Sequence, residues 1–201
     1  MTIKQKILKA LYPILLKITR MAGKNSRVIR NEKGQRPSEP IHNLAFQTGS
    51  GERISLSDFK GRKILFVNTA SNCGYTAQYS ELQQLHEQAG DKLAIIGFPA
   101  NDFKEQETGT DLEIQGFCSL NFGVKFPLAK KSVVIKSGAQ NEVYQWLTNG
   151  HKNGWNNQEP GWNFAKYLVD EQGILTHYFE PSVSPLQAEV LQAIGTKTSL
   201  K

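Results

Sequence analysis

In MTIKQKILKALYPILLKITR, apolar residues at 3, 7, 10, 11, 14, 15 and 18 recur at helical spacing. Lys6, Lys9, Lys17 and Arg20 fall together on the opposite face, and Lys4 sits at the edge of the stripe. The pattern predicts a basic amphipathic helix whose weak point is Pro13. Its longest uncharged run, residues 10–16, is too short to cross a hydrocarbon layer of roughly 30 Å. No A-x-A-like cleavage site follows it. Such a helix suits either an anionic membrane surface, through residues 3–20, or a docking place on the rest of the chain. The next stretch, AGKNSRVIRNEKGQRPSEP, is polar and carries Gly, Ser and Pro, so residues 1–38 read as extension plus linker.

From residue 39 to 201 the pattern alternates between two periods. NLAFQTGSGERISL predicts a small hairpin turning at Gly-Ser-Gly. RKILFVNTA and KLAIIGFP are apolar runs suited to buried strands, and the segment between them, Thr76 to Ala89, has helical spacing. GTDLEIQGFCSLNF reads as a helix capped by Thr110, with Glu113 completing a capping box. A short strand is expected at Val133–Ile135 and a helix at Asn141–Leu147. FAKYLVDEQGILTHYFEP predicts a hairpin, and SPLQAEVLQAIG a last helix with Ser184 as its cap. This succession implies an α/β domain with a central sheet and helices on both faces.

Charge and cysteine content narrow the chemistry. Residues 1–36 hold ten basic residues against one acid and carry +9 of a net +6, leaving −3 for the remainder. The basic character therefore belongs to the first segment. Without interleaved aromatic residues it argues against nucleic-acid binding. Two cysteines in 201 residues do not make a secreted disulfide framework, so a reducing, cytoplasmic setting is expected, with or without membrane association. Four scattered histidines and no metal-ligand spacing argue against a zinc site, and no cofactor is expected.

Cys73 closes FVNTASNC, just past a predicted central strand and just ahead of a predicted helix, where open α/β sheets place their chemistry. Free N–H groups at a helix start favour an anion and would lower the thiol pKa. Cys73-Gly74-Tyr75-Thr76 has the outline of a CxxC redox turn with threonine in place of the second cysteine. A buried cysteine acting as a small hydrophobe is the alternative at this point.

Three segments carry a resemblance: NTASNCGYTAQYSELQQLHE, GFPANDFKEQETGTDLEIQGFC and PGWNFAKYLVDEQG. They resemble, in order and with nearly the same spacing, the motifs of the glutathione peroxidase family in its cysteine-containing, non-selenium branch. That resemblance implies a thioredoxin-like fold with a central mixed sheet. It matches Cys73 to the peroxidatic nucleophile, Gln106 to the family's glutamine, and Trp162 and Asn163 to its Trp-Asn pair. Trp155-Asn156 is a rival pair, set aside because no FAKYLV-like strand follows it; Trp155 is expected to pack near the pocket. Cys118 matches the resolving cysteine of thioredoxin-dependent members, which favours thioredoxin over glutathione as reductant of a hydroperoxide-consuming cycle. Gly109, Gly116 and Gly123 would ease the motion that brings Cys118 to Cys73. The short segment between Val133 and Trp162 implies a monomer or weak dimer. The family's FPCNQF and QEPG become FPANDF and QETG here, putting the rigidity of the glutamine loop in question. A redox sensor using the same thiol chemistry is the competing reading outside enzymes.

Overall fold

The computed structural model describes residues 1–21 and 27–196. The two apolar runs form the middle of its main sheet: β4 (Lys63–Thr69) pairs in parallel with β5 (Leu93–Pro99). All of β5 and all but the first residue of β4 are buried, as expected of strands covered on both faces. Side chains alternate between two cores. Leu65 and Val67 face the helices α2 (Gln78–Ala89), α3 (Asp111–Phe122) and α6 (Ala188–Ile194), whereas Ile64 and Phe66 face α4 (Glu142–Leu147).

The predicted late hairpin is β6 (Lys166–Val169) and β7 (Leu175–Phe179), laid antiparallel beside β4. Sheet order is β1-β7-β6-β4-β5, a mixed sheet with helices on both sides. Its edge is β1 (Val28–Arg30), paired with β7. Those three residues were expected in the linker, so the sheet begins well before residue 39. The early hairpin, β2 (Ala45–Gln47) with β3 (Arg53–Ser55), stands as a separate two-stranded ribbon.

Other differences are local. Thr110 and Glu113 make the expected capping box. Val133–Ile135 is not a strand; Val133 makes a single bridge to Gln140. A short helix, α5 (Gly150–Asn153), follows α4. Ser184 does not cap α6, because the helix begins later, after Gln187; its hydroxyl donates to Glu81 at 2.7 Å and its oxygen accepts the Leu186 N–H at 3.1 Å, closing a turn ahead of the helix.

The first helix, α1 (Ile3–Met21), runs through Pro13. It docks by the side that carries Gln5 and Tyr12, which are buried, and leaves Ile3, Ile7, Leu11, Ile14 and Ile18 exposed. Gln5 Nε2 donates to Ser71 O at 3.3 Å and to Asn72 Oδ1 at 2.9 Å. Tyr12 Oη donates to Glu81 Oε2 at 3.1 Å, and its ring meets the edge of Tyr75 at 6.5 Å. No helix among the described residues is long and apolar enough to cross a membrane.

Candidate active site

Where β4 ends, its chain leaves the sheet as the loop 70–77, and Cys73 is fully buried within that loop. Helix α2 begins at Gln78, five residues past the cysteine and not at Thr76 as the spacing implied. Thr76, in the place of a second cysteine, closes the turn. Its Oγ1 accepts the Cys73 N–H at 3.0 Å and lies within hydrogen-bond reach of Ala70 O and Cys73 O. A β-branched hydroxyl residue is well suited to this, since it can satisfy backbone groups within one turn.

The Cys73 thiol thus meets local amides rather than a helix end. Tyr75 N–H donates to Sγ at 3.4 Å. Burial raises the thiol above its ordinary value, opposed by the Tyr75 amide, the Trp162 and Asn163 side chains and the Gly74 amide. The expected lowering by a helix N-terminus is therefore corrected: desolvation prevails, and the donors offset only part of it. They act most strongly on the anion, so they favour the thiolate at the moment it forms.

Gln106, Trp162 and Asn163 come from two other loops and converge here. Asn163 Nδ2 donates to Gln106 Oε1 at 3.1 Å, and Gln106 O accepts the Asn72 N–H at 3.0 Å. Both loops are held in costly backbone shapes. Among the described residues Lys104 (φ 52°), Glu105 (φ 51°) and Phe164 (φ 70°) are the non-glycine residues with left-handed backbone, and all flank the site. The Trp162 ring packs on Phe103 at 5.6 Å, with Lys104 Nζ 5.7 Å from its centre. Tyr75, Gly161, Trp162, Glu180 and Pro181 line a cavity of about 300 Å³.

The resolving candidate is equally buried. Cys118 is buried in α3, and both cysteines are free thiols. Burial pushes its thiol up to about 12; the Tyr79 hydroxyl pulls the other way and the Glu107 carboxylate adds to the rise. The rival pair is accounted for structurally. Trp155 Nε1 donates to Leu175 O at 2.7 Å and its ring packs in the core that lacks Cys73, not near the pocket. Asn156 Nδ2 donates to Leu147 O at 2.7 Å.

The glutathione peroxidase family model matches residues 41–148, more than half of the chain. The chain belongs to the glutathione peroxidase family. It is an oxidoreductase that reduces peroxides by redox-active cysteine chemistry. The glutathione peroxidase homolog BsaA of Halalkalibacterium halodurans is 40% identical over 148 residues, covering 73% of this chain and 93% of that protein. The solved structure "Trgpx in apo form" is 27% identical with a TM-score of 0.60, covering 79% of this chain and 97% of that one. A thioredoxin family thiol:disulfide interchange protein from Chlorobium tepidum, 15% identical, shares the fold at a TM-score of 0.56 over 80% of this chain and 98% of its own.

Asn68, Ser71 and Glu107 support the site but escaped sequence reasoning. Asn68, an amide inside an apolar strand, donates to Trp162 O at 3.0 Å and accepts the Ala165 N–H at 3.0 Å, so β4 itself carries the Trp-Asn loop. Glu107 is almost wholly buried and accepts from Ser71 Oγ at 2.9 Å, while its own N–H reaches Asn101 Oδ1 at 2.9 Å. These bonds anchor the glutamine loop to the cysteine loop and replace the stiffness of the missing proline. The signal for Asn68 was an amide directly after the apolar run 64–67 of a buried strand.

Proposed function

We propose that Cys73 is the peroxidatic thiol, that Gln106, Trp162 and Asn163 orient the peroxide, and that Cys118 resolves the oxidised cysteine. The observation that carries the reading is the convergence of three loops on one buried thiol, with Asn163 bonded to Gln106 beside it. The Cys73 thiolate attacks one oxygen of a hydroperoxide; the O–O bond breaks, and the alkoxide or hydroxide leaves with a proton. Sulfur becomes a sulfenic acid and the product is an alcohol or water. The indole N–H of Trp162 and the amide N–H groups of Gln106 and Asn163 stabilise the anions on either side of that step. Asn163 Oδ1 is buried without a hydrogen-bond partner among the described residues, which leaves an acceptor for the O–H of the incoming hydroperoxide.

Cys118 then condenses with the sulfenic acid, releasing water and forming a disulfide. In α3 the Cys118 carbonyl accepts the N–H of Gly123 and of Val124, and in this scheme the end of α3 unwinds to bring the two sulfurs together. A dithiol donor of the thioredoxin type restores both thiols and is itself oxidised to a disulfide. Glutathione is the second reading for the reductant. The reaction is placed in a reducing, cytoplasmic setting, on a monomer or weak dimer. Peripheral membrane contact through residues 3–20 is a separate proposal, supported by the exposed apolar side of α1.

The Cys118→Ser variant tests this scheme. Thioredoxin-coupled turnover should collapse while a single turnover with hydrogen peroxide survives. Undiminished coupled turnover would remove Cys118 from the resolving role. Many cycles per molecule in the wild type separate an enzyme from a one-shot redox sensor.

A further inference from the structure

The docked helix α1 has two working sides. Ile3, Ile7, Leu11, Ile14 and Ile18 form one continuous exposed stripe, with Ile3 at 79% of its free exposure. At about 100° per residue, Lys4 lies along one edge of that stripe and Lys6 and Lys17 along the other. All three lysines are exposed. The helix contains no acidic residue, so a second copy packed on the stripe would bring lysine rims together without counter-charge. An anionic lipid surface satisfies the apolar stripe and its rims at once. The opposite side of α1 touches the cysteine loop: Gln5 holds Ser71 and Asn72, and Tyr12 packs on Tyr75, itself a wall of the cavity at Trp162.

We propose that α1 is a lipid-docking helix that remains part of the active-site wall while docked: its isoleucine–leucine stripe enters an anionic membrane interface while Gln5 and Tyr12 go on holding the loop of Cys73. The cavity beside Tyr75 lies on the side of α1 that faces the protein, with Lys104 over the ring of Trp162 in its wall. Gln5 is a positioning residue in this arrangement, acting on Cys73 through Ser71 and Asn72. The inference rests on the membrane proposal above and gives it an orientation and a coupling to the site.

The full chain is sedimented with vesicles of phosphatidylcholine alone and of phosphatidylcholine mixed with phosphatidylglycerol. Binding should be at least about tenfold tighter to the anionic vesicles and should weaken with salt. The doubly substituted Ile7→Glu, Leu11→Glu chain should lose binding by at least about tenfold, with an unchanged circular dichroism spectrum. Equal pelleting of this variant and wild type, or no pelleting of wild type, overturns the lipid surface. A lipid-free dimer that these substitutions dissolve would assign the stripe to a second copy instead.

Amide hydrogen exchange over residues 71–75 reads the coupling. These amides should be at least as protected on anionic vesicles as in solution, and Gln5→Ala should speed their exchange in both states. Faster exchange of the wild type on vesicles would mean that α1 leaves the loop to reach lipid, and would overturn the shared wall. Turnover of the same wild-type preparation on hydrogen peroxide reports the peroxidase reading independently, so the two can fail separately.

Discussion

Gly116 offers the most direct access to the motion of α3 proposed for resolution by Cys118. It lies inside α3, two residues before Cys118, and a Cβ placed there meets nothing within 4 Å. Packing therefore gives no reason for glycine, and alanine fits the folded helix without strain. Glycine in a helix interior is less favourable than alanine by about 0.8–1.0 kcal/mol. If α3 unwinds through Gly116 to deliver Cys118, Gly116→Ala adds up to about 1 kcal/mol to that step and slows it about fivefold at 25 °C. Rapid mixing with stoichiometric hydrogen peroxide, followed by thiol alkylation and mass spectrometry, separates the sulfenic acid from the disulfide. Sulfenic acid should form at the wild-type rate and persist about fivefold longer. Thermal unfolding supplies the control, since the variant should gain about 1 kcal/mol of stability. A stabilised protein that closes its disulfide at the wild-type rate would refute the unwinding of this part of α3.

Three further predictions follow from the site's polar contacts. Trp162→Phe keeps a ring beside Phe103 but removes an N–H that pulls the Cys73 pKa down; the pH profile of Cys73 alkylation should move to higher pH, and an unchanged midpoint would exclude the indole as a donor. Burial raises Glu107 from 4.5 to about 7, so the folded state holds its proton more tightly than the unfolded chain does. Stability should fall as pH climbs through that window, by up to roughly 3 kcal/mol, and urea unfolding of Glu107→Gln should lack this slope. Asn68→Leu leaves the Ala165 N–H buried without its acceptor; it should cost about 1–3 kcal/mol in urea unfolding and lower kcat/KM by loosening the Trp162 loop, whereas full activity would show that loop to be held elsewhere.

What could be read in the chain depended on how periodic each signal was. The runs at β4 and β5, the hairpin of β6 and β7, and the Thr110–Glu113 box declare themselves through patterns that local physics enforces. Strand β1 did not, because three residues among polar neighbours form an edge only when β7 is beside them. Ser184 was misjudged because its oxygen caps a turn at Leu186, and the helix starts only after Gln187. At the site, Cys73 was legible from position, but Gln106, Trp162, Asn163 and Cys118 owed their assignment to the family resemblance. Asn68, Ser71 and Glu107 support them through long-range hydrogen bonds that leave no periodic trace. The amphipathic pattern of α1 was plain, while which side would face the protein was not: Gln5 and Tyr12 won that side through specific bonds to the cysteine and α2 segments.

Peptide mapping after one equivalent of hydrogen peroxide tests the central chemistry most directly. In the Cys118→Ser chain the proposed mechanism predicts loss of the Cys73 thiol and its trapping as a sulfenic acid, and in the wild type a cross-linked peptide joining Cys73 to Cys118. A Cys73 thiol that survives this exposure while turnover continues would contradict it.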